Sequence, residues 1–119
     1  MNAPILITGI PRSGGWITAG IIHACGAFAG HIGHSERFYR KGTFENPAIR
    51  KDMVIPFMRG LGAEPGWQRP LPDINACRDA AVAVGANWRG TVEGILRAQG
   101  YDDGPWFYKS SSSALIWPV

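Results

Sequence analysis

The sequence contains little cysteine and no long apolar run. Its 119 residues include two cysteines, Cys25 and Cys77, and both fall on the apolar faces of predicted helices. Such a pair is typical of reduced thiols in a protein core and provides neither a disulfide framework nor a metal site. No stretch approaches the roughly 20 apolar residues that span a bilayer, and the short run from Ile5 to Ile10 lacks the basic segment of a secretory signal. We therefore expect a cytoplasmic protein that does not insert into membranes.

Charge of one sign is also scarce. The formal net charge is +3, and the sequence has no run of Lys and Arg and no repeated pairing of basic with aromatic residues. Nucleic acid is therefore not an expected partner. A mild positive charge suits a small molecule that carries phosphate. The length fits one domain, which would cover residues 1–119.

Hydrophobic periodicity predicts an α/β fold. Strands are predicted at 4–9 and 105–109, because both segments are short, apolar and bounded by Pro or Gly. Apolar residues at spacings of three and four predict helices at about 14–28, 47–60, 73–99 and 114–117. Asparagine at 46 and aspartate at 73 are predicted N-caps. Pro56 predicts a kink, and the glycines between 85 and 90 predict a weak point in the long helix.

Each of the two long helices has one predicted buried face. In the helix at 14–28 the face is formed by Ile17, Ile21, Ala24 and Phe28. In the helix at 73–99 the buried residues are expected to be Ile74, Cys77, Ala81, Val84, Trp88, Val92 and Ile95.

The stretch after the first strand is the most informative about function. It reads Gly9-Ile10-Pro11-Arg12-Ser13-Gly14-Gly15, and a helical pattern follows at once. Backbone N–H groups at a helix start have no intrahelical partner, and the helix dipole adds about half a positive charge there. Gly9 and Gly14 allow close backbone approach, and Arg12 adds a planar guanidinium. This order of strand, glycine turn and helix predicts a phosphate site.

The loop departs from the Walker A pattern of ATP and GTP sites. Gly9 and Gly14 have the required glycine spacing, but Gly15 and Trp16 stand where Lys and Ser or Thr are required. Pro11-Arg12-Ser13-Gly14 instead resembles the Pro-Lys/Arg-Ser-Gly-Thr-Ser/Thr loop of the sulfotransferases. In that family the loop holds the 5′-phosphate of the donor nucleotide PAPS, and Gly15 and Trp16 replace two of its hydroxyl residues.

The resemblance continues along the chain. The segments Gly42-Thr43-Phe44-Glu45-Asn46, Trp106-Phe107-Tyr108-Lys109 and Ala114-Leu115-Ile116-Trp117-Pro118 are similar to stretches of sulfotransferase-like P-loop proteins common in phage and environmental sequences. The resemblance implies a P-loop NTPase-like, three-layer α/β/α fold with a parallel sheet. It covers only the amino-terminal part of the family's domain, because the region that binds the donor's 3′-phosphate would follow Val119.

The resemblance also implies site residues and a co-substrate. PAPS, or its product PAP, would be held by Pro11, Arg12, Ser13, Gly14, Gly15 and Thr18, and no metal is expected. The implied catalytic residues are Lys109, at the end of the second strand, and Glu45 as the base. His31 and His34 are the alternative bases. The acceptor would be an unidentified hydroxyl or amine compound.

Two other functions stay open on the sequence. One is a P-loop nucleotide kinase or NTPase, and the other is a non-catalytic protein that binds an anion or forms a multimer. Only two strands are predicted, and a two-stranded sheet is not stable by itself. We expect either that the sheet is truncated or that a second copy completes it, by dimerisation or domain swapping.

Overall fold

The computed structural model describes residues 1–33, 43–63 and 73–116. Within them the chain forms a small α/β structure whose helices and strands follow the predicted order. One helix, α2 Pro47–Ile49, continues without interruption through a π-helical turn, Arg50–Val54, into α3 Ile55–Gly60. The elements are β1 Ile5–Ile7, α1 Gly15–Ala24, α2 Pro47–Ile49, α3 Ile55–Gly60, α4 Ile74–Ala98, β2 Phe107–Lys109 and α5 Ser113–Ile116.

The two strands pair in parallel, as the sequence predicts for an α/β fold. Ile5 lies opposite Phe107, and Ile7 lies opposite Lys109. The pairing continues beyond β2, because the Ser110 amide donates to the Ile7 carbonyl at 3.0 Å. On the other side of β2 a parallel bridge joins Phe28 to Trp106. Both strands therefore end at the same edge of the sheet.

Side chains alternate between the two faces of this sheet, and each face has its own core. Ile7 and Phe107 pack with Ala19 of α1 on one face. Trp106 and Tyr108 pack on the other face, against a larger cluster from α2, the π-helical turn, α3 and α4. The described residues thus place helices on both sides of the sheet.

Helix α1 is shorter than predicted, and its buried face was predicted wrongly. Ala19 is fully buried and Ile22 packs beside it, whereas Ile17 and Ile21 are 50% and 60% exposed. Both sets of residues have helical spacing, so periodicity could not choose between them. A small residue at position 19 lets the helix approach the narrow sheet closely. The chain leaves the helix at Cys25, which is exposed rather than buried as predicted.

Phe28 does not continue α1, contrary to the prediction that its side chain completes the buried stripe. Its amide donates to the Pro105 carbonyl at 2.8 Å, and its carbonyl accepts from the Phe107 amide at 3.0 Å. These bonds hold the segment in an extended conformation beside β2. Tertiary pairing has therefore outweighed the local helical spacing.

Pro56 changes the hydrogen bonding of the helical turn that precedes it. A proline within a helix lacks an N–H and crowds the carbonyl four residues earlier. The chain accommodates it with the π-helical turn, in which the Ile55 amide donates to the Arg50 carbonyl five residues back. This wider turn is the local form of the predicted kink.

Helix α4 is continuous, so the predicted weak point at Gly85–Gly90 does not interrupt it. Cys77, Ala81 and Val92 of the predicted face are buried, and Val84, Trp88 and Ile95 are partly buried against the same core. Leu96, which was not predicted, is also buried. Trp88 packs edge-on against Phe57, with 4.9 Å between ring centroids. Ile74, predicted as buried, lies at the exposed start of the helix.

In the part of the chain that the structure describes, none of the helices combines the length and the apolar character needed to cross a bilayer.

Asn46 ties three separate segments together. Its side chain is 2% exposed and accepts from the amides of Ala48 and Ile49, which caps α2 as predicted. The same side chain donates to the Gln99 side chain at 2.7 Å and to the Ala29 carbonyl. Gly30 must be glycine here, because its φ is +68° and a Cβ would collide with Asn46 and Gln99.

We predict that Asn46→Ala lowers the free energy of unfolding by about 2 kcal/mol, since it removes a helix cap and leaves buried polar groups unpaired. Asp73→Ala is the matched control, because Asp73 caps α4 at an exposed position. It should cost about 1 kcal/mol. Urea denaturation of both variants measures the difference. Equal losses would contradict the role of Asn46 as a buried connector.

Candidate anion-binding site

A cleft of about 260 Å³ opens at the edge where both strands end. The loop after β1, the start of α1, the end of β2 and the segment before α2 surround it. Most of the residues predicted for the site meet here. Of the predicted residues, Pro11, Arg12, Ser13, Gly15, Glu45 and Lys109 line the cleft.

The loop from Gly9 to Gly14 has an unusual backbone. A Cβ on Gly9 would lie 2.9 Å from the Ser13 Oγ, so only glycine fits there without a shift. Gly14 has φ +94°, a left-handed conformation that glycine adopts at no cost. Arg12 also has a positive φ, +68°, which is unfavourable for a residue with a side chain. The loop holds Arg12 in this conformation at the mouth of the cleft.

Backbone amides at the start of α1 provide the donors. The Gly14 carbonyl accepts from the amides of Ile17 and Thr18, and no side chain caps the helix. Among the described residues, the amides of Gly14, Gly15 and Trp16 have no acceptor. The Ser13 amide differs, because it donates to the Ile10 carbonyl at 3.2 Å. It closes the turn, so the amide of Ser13, a residue expected among the phosphate ligands, is not available to a phosphate.

Lys109 supplies a cation over the same helix start. A Cβ on Gly15 would lie 3.7 Å from the Cε of Lys109, so the lysine side chain passes directly over Gly15. Gly15 occupies the position of the Walker lysine, and the neighbouring strand therefore brings a lysine to the place where the loop lacks one. Neither Lys109 nor Arg12 forms an ion pair with a described residue.

Glu45 lies in the wall of the cleft that precedes α2. The Gly33 amide donates to its carbonyl at 3.0 Å, which fixes its backbone. Its carboxylate is 3.8 Å from the Nε of Arg50 and remains partly exposed. Arg50 offsets part of the negative charge that would otherwise repel a phosphate in the cleft. Glu45 thus lines the same cleft as the amides that could donate to an anion, and its charge is partly offset by Arg50.

Gly14 and Thr18, both predicted as ligands, do not line the cleft. The Thr18 Oγ1 donates to the Gly14 carbonyl at 3.4 Å from an exposed position on α1. Residues that we did not predict take part instead. Thr8, Ser110 and Ser111 follow directly after the two strands, Thr43 lies two residues before Glu45, and Trp16 lies in the first turn of α1. These additional lining residues are Thr8, Trp16, Thr43, Ser110 and Ser111.

The alternative bases are not part of this cleft as described. His31 is exposed, and its amide donates to the Gln99 side chain. His34 lies outside the described residues, as do the basic residues Arg37, Arg40 and Lys41. Within 1–33, 43–63 and 73–116, His, Cys, Asp and Glu side chains do not gather in groups of three that could hold a metal ion.

Comparison with known protein families, curated proteins and solved structures finds no match to this chain.

Tyr108 lies next to Lys109 on β2 but faces the opposite core. Burial raises the pKa of its hydroxyl, and the negative charge of Glu45 raises it further. Burial likewise raises the pKa of the Cys77 thiol, with a second contribution from Asp73. Both groups are therefore neutral in the folded protein at neutral pH.

These shifts predict alkaline destabilisation. A raised pKa in the folded state favours folding below the pKa of the unfolded chain and loses that contribution as pH rises above it. We expect the free energy of unfolding to fall above about pH 10, the ordinary range of tyrosine. Urea denaturation between pH 8 and pH 11 tests this. Tyr108→Phe should show a smaller alkaline loss, and an unchanged loss would refute the assignment.

Proposed function

We propose that the cleft binds the 5′-phosphate of PAPS and that the protein transfers the sulfuryl group to a hydroxyl or amine acceptor. One observation carries the proposal. Gly15 and Trp16, whose amides have no acceptor among the described residues, line a single cleft together with Arg12 and Lys109, and the free amide of Gly14 lies next to them in the chain. Amides at a helix start together with a guanidinium and an ammonium suit a doubly charged oxyanion.

The proposal includes a P-loop NTPase-like fold. A parallel strand, a glycine loop and a helix follow one another, and the second strand of the sheet lies beside the first. In open α/β sheets, ligands bind beyond the carboxyl ends of the strands, which is where the cleft lies. The sequence resemblance to sulfotransferases supports the same fold.

Glu45 and Lys109 have distinct chemical roles in this proposal. The acceptor oxygen or nitrogen attacks sulfur, the bond from sulfur to the phosphate oxygen of PAPS breaks, and PAP leaves. Glu45 accepts the proton that the acceptor loses. Lys109 and the amides stabilise the negative charge that develops on the departing phosphate. Glu45 and Lys109 line the same cleft from separate segments, the one before α2 and the end of β2, which supports this division.

A kinase or NTPase is the less favoured enzyme. Such sites hold Mg²⁺ through a hydroxyl residue after the loop lysine, and Trp16 stands at that position. Lys109 compensates for the missing lysine, but the described residues of the cleft offer a single carboxylate, Glu45. The site therefore favours a phosphate ester that is bound without a metal ion.

A multimer-forming role has its own supporting observation. Four isoleucines are exposed on β1, the loop after it and α1, namely Ile5, Ile10, Ile17 and Ile21. Exposed apolar surface of this kind favours association with another chain. A homodimer or a domain swap that covers this surface is our second proposal. Light scattering after gel filtration tests it, and a monomer at all concentrations would contradict it.

Calorimetric titration with PAP tests the main proposal. We predict that Arg12→Ala and Lys109→Ala each weaken PAP binding about tenfold or more, because each removes a charge-assisted hydrogen bond. Arg78→Ala is the matched control, since Arg78 is an exposed arginine on α4. It makes the same change in net charge and should leave binding unchanged. Equal weakening by all three variants would indicate general electrostatics and contradict a built site.

A second test moves the lysine from position 109 to position 15. A side chain at position 15 would reach the space that the Lys109 side chain occupies. We predict that Gly15→Lys restores much of the PAP affinity that Lys109→Ala removes. Failure of this double variant to recover affinity, in a protein that remains folded by circular dichroism, would contradict the proposed placement of the phosphate.

Glu45→Gln separates binding from transfer. We predict that this variant binds PAP at least as tightly as the parent, because a negative charge beside the phosphate is removed. Conversion of PAPS to PAP in the presence of a mixture of phenol, alcohol and amine acceptors should fall by about a hundredfold or more. Conversion at the parent rate would eliminate Glu45 as the base. ATP binding that requires Mg²⁺, with no response to PAP, would favour the kinase instead.

A further inference from the structure

The segment before α2 contains one residue, Phe44, to which the proposed reaction gives no role. Thr43 and Glu45 line the cleft, whereas Phe44 between them does not. Its side chain packs instead against the core on the α1 face of the sheet, in the cluster that includes Ala19 and Phe107. The segment therefore alternates at this point between the wall of the cleft and the core.

Phe44 has a left-handed backbone, with a φ of +55°. This conformation is unfavourable for a residue with a Cβ, and it persists where the surrounding contacts over-determine it, most often at functional sites. Hydrogen bonds on both sides define the turn. The Thr43 amide donates to the Gly33 carbonyl at 2.9 Å, and the Gly33 amide donates to the Glu45 carbonyl at 3.0 Å. The chain at Phe44 thus turns so that both of its neighbours bond to the same glycine.

The same turn fixes the backbone of Glu45. Its amide donates to the Thr43 Oγ1 at 3.4 Å, and that Oγ1 donates to the Gly33 carbonyl at 3.0 Å. Because its carbonyl is also bonded to Gly33, both backbone polar groups of Glu45 have partners. A change of backbone conformation at Phe44 would break these bonds and displace the Glu45 carboxylate.

The ring of Phe44 attaches this turn to α1. Gly20 leaves room for the ring, since a Cβ at that position would lie 3.5 Å from the Cε2 and Cζ of Phe44. His23 faces the same ring, with 5.9 Å between ring centroids. Residues three apart lie on one face of a helix, so Gly20 and His23 form one contact surface. Helix α1 also begins with the amides that we propose as phosphate donors. The ring therefore connects the turn that contains Glu45 to the helix that contains those donors.

We propose that Phe44 is a positioning residue whose ring holds Glu45 at a fixed place relative to the start of α1. This inference rests on the proposed function, in which Glu45 is the base. A base must lie within hydrogen-bond reach of the proton that it accepts, so a small displacement of Glu45 lowers the rate of transfer. Binding of the nucleotide should not depend on Phe44, because Arg12 and Lys109 line the cleft from other segments.

Two variants remove the contact from opposite sides. Phe44→Ala deletes the ring, and Gly20→Leu places a side chain where the ring packs. For each we expect the turnover number for conversion of PAPS to PAP, with the same mixture of acceptors, to fall about tenfold or more, while the Kd for PAP changes less than about twofold. Gly20→Ala is the matched control. Its Cβ lies at an ordinary contact distance from the ring, so turnover should equal that of the parent.

Amide hydrogen exchange tests the positioning without any activity. In Phe44→Ala the Gly33 amide should exchange about tenfold or more faster than in the parent, because the turn opens locally. The Tyr101 amide donates to the Leu96 carbonyl at 3.0 Å near the end of α4. It reports a general loss of stability and should change much less.

Three results would overturn the inference. They are parent turnover in either Phe44→Ala or Gly20→Leu, a weakening of PAP binding as large as the fall in turnover, or equal acceleration of exchange at Gly33 and Tyr101. If Phe44→Ala does not fold, Gly20→Leu decides by the same measurements. A parent protein that neither binds PAP nor converts PAPS would reject the proposed function, and the exchange comparison would still decide whether Phe44 holds the turn at Glu45.

Discussion

The structure depends on the parallel pairing of β1 with β2. This pairing ends both strands at one edge, with Ile7 opposite Lys109. The glycine loop that follows β1 and the lysine that ends β2 are about a hundred residues apart in sequence, yet they line one cleft. A shift of one residue in the register would turn Lys109 toward the opposite core and bring the Tyr108 hydroxyl toward α1. The register therefore determines that Lys109 lies on the α1 face of the sheet and that the Tyr108 hydroxyl lies on the opposite face.

The buried side chain of Asn46 extends this organisation to the helices. It caps α2, binds Gln99 beyond the end of α4 and reaches the Ala29 carbonyl beside the sheet. Glu45 precedes it directly, so the connector that holds the helices also fixes the carboxylate in the wall of the cleft. Gly30 leaves the space for these contacts. The position of the candidate base Glu45 thus depends on the buried contacts that the next residue, Asn46, makes with the helices.

The sequence predicted the strands, the caps and most of the cleft, because these depend on local signals. Strand ends, Asn46, Asp73 and the glycine loop each have a physical signature within a few residues. Lys109 could be placed because parallel strands end together. The buried face of α1 could not be chosen, because two stripes had the same spacing and the size of Ala19 decided between them. Thr18 was assigned by residue type, and helical geometry directs its hydroxyl to the Gly14 carbonyl instead. The Ser13 amide was also misassigned, because the closure of the turn depends on the loop backbone.

The central claim is that the start of α1 presents free backbone donors to an oxyanion. Amide chemical shifts during titration with inorganic phosphate test it most directly. The account predicts that the amides of Gly14, Gly15 and Trp16 shift and saturate together, while the Ser13 amide and the Asp73-capped start of α4 change little. Saturating shifts at the start of α4, or no saturating shift at Gly14, Gly15 and Trp16, would contradict it.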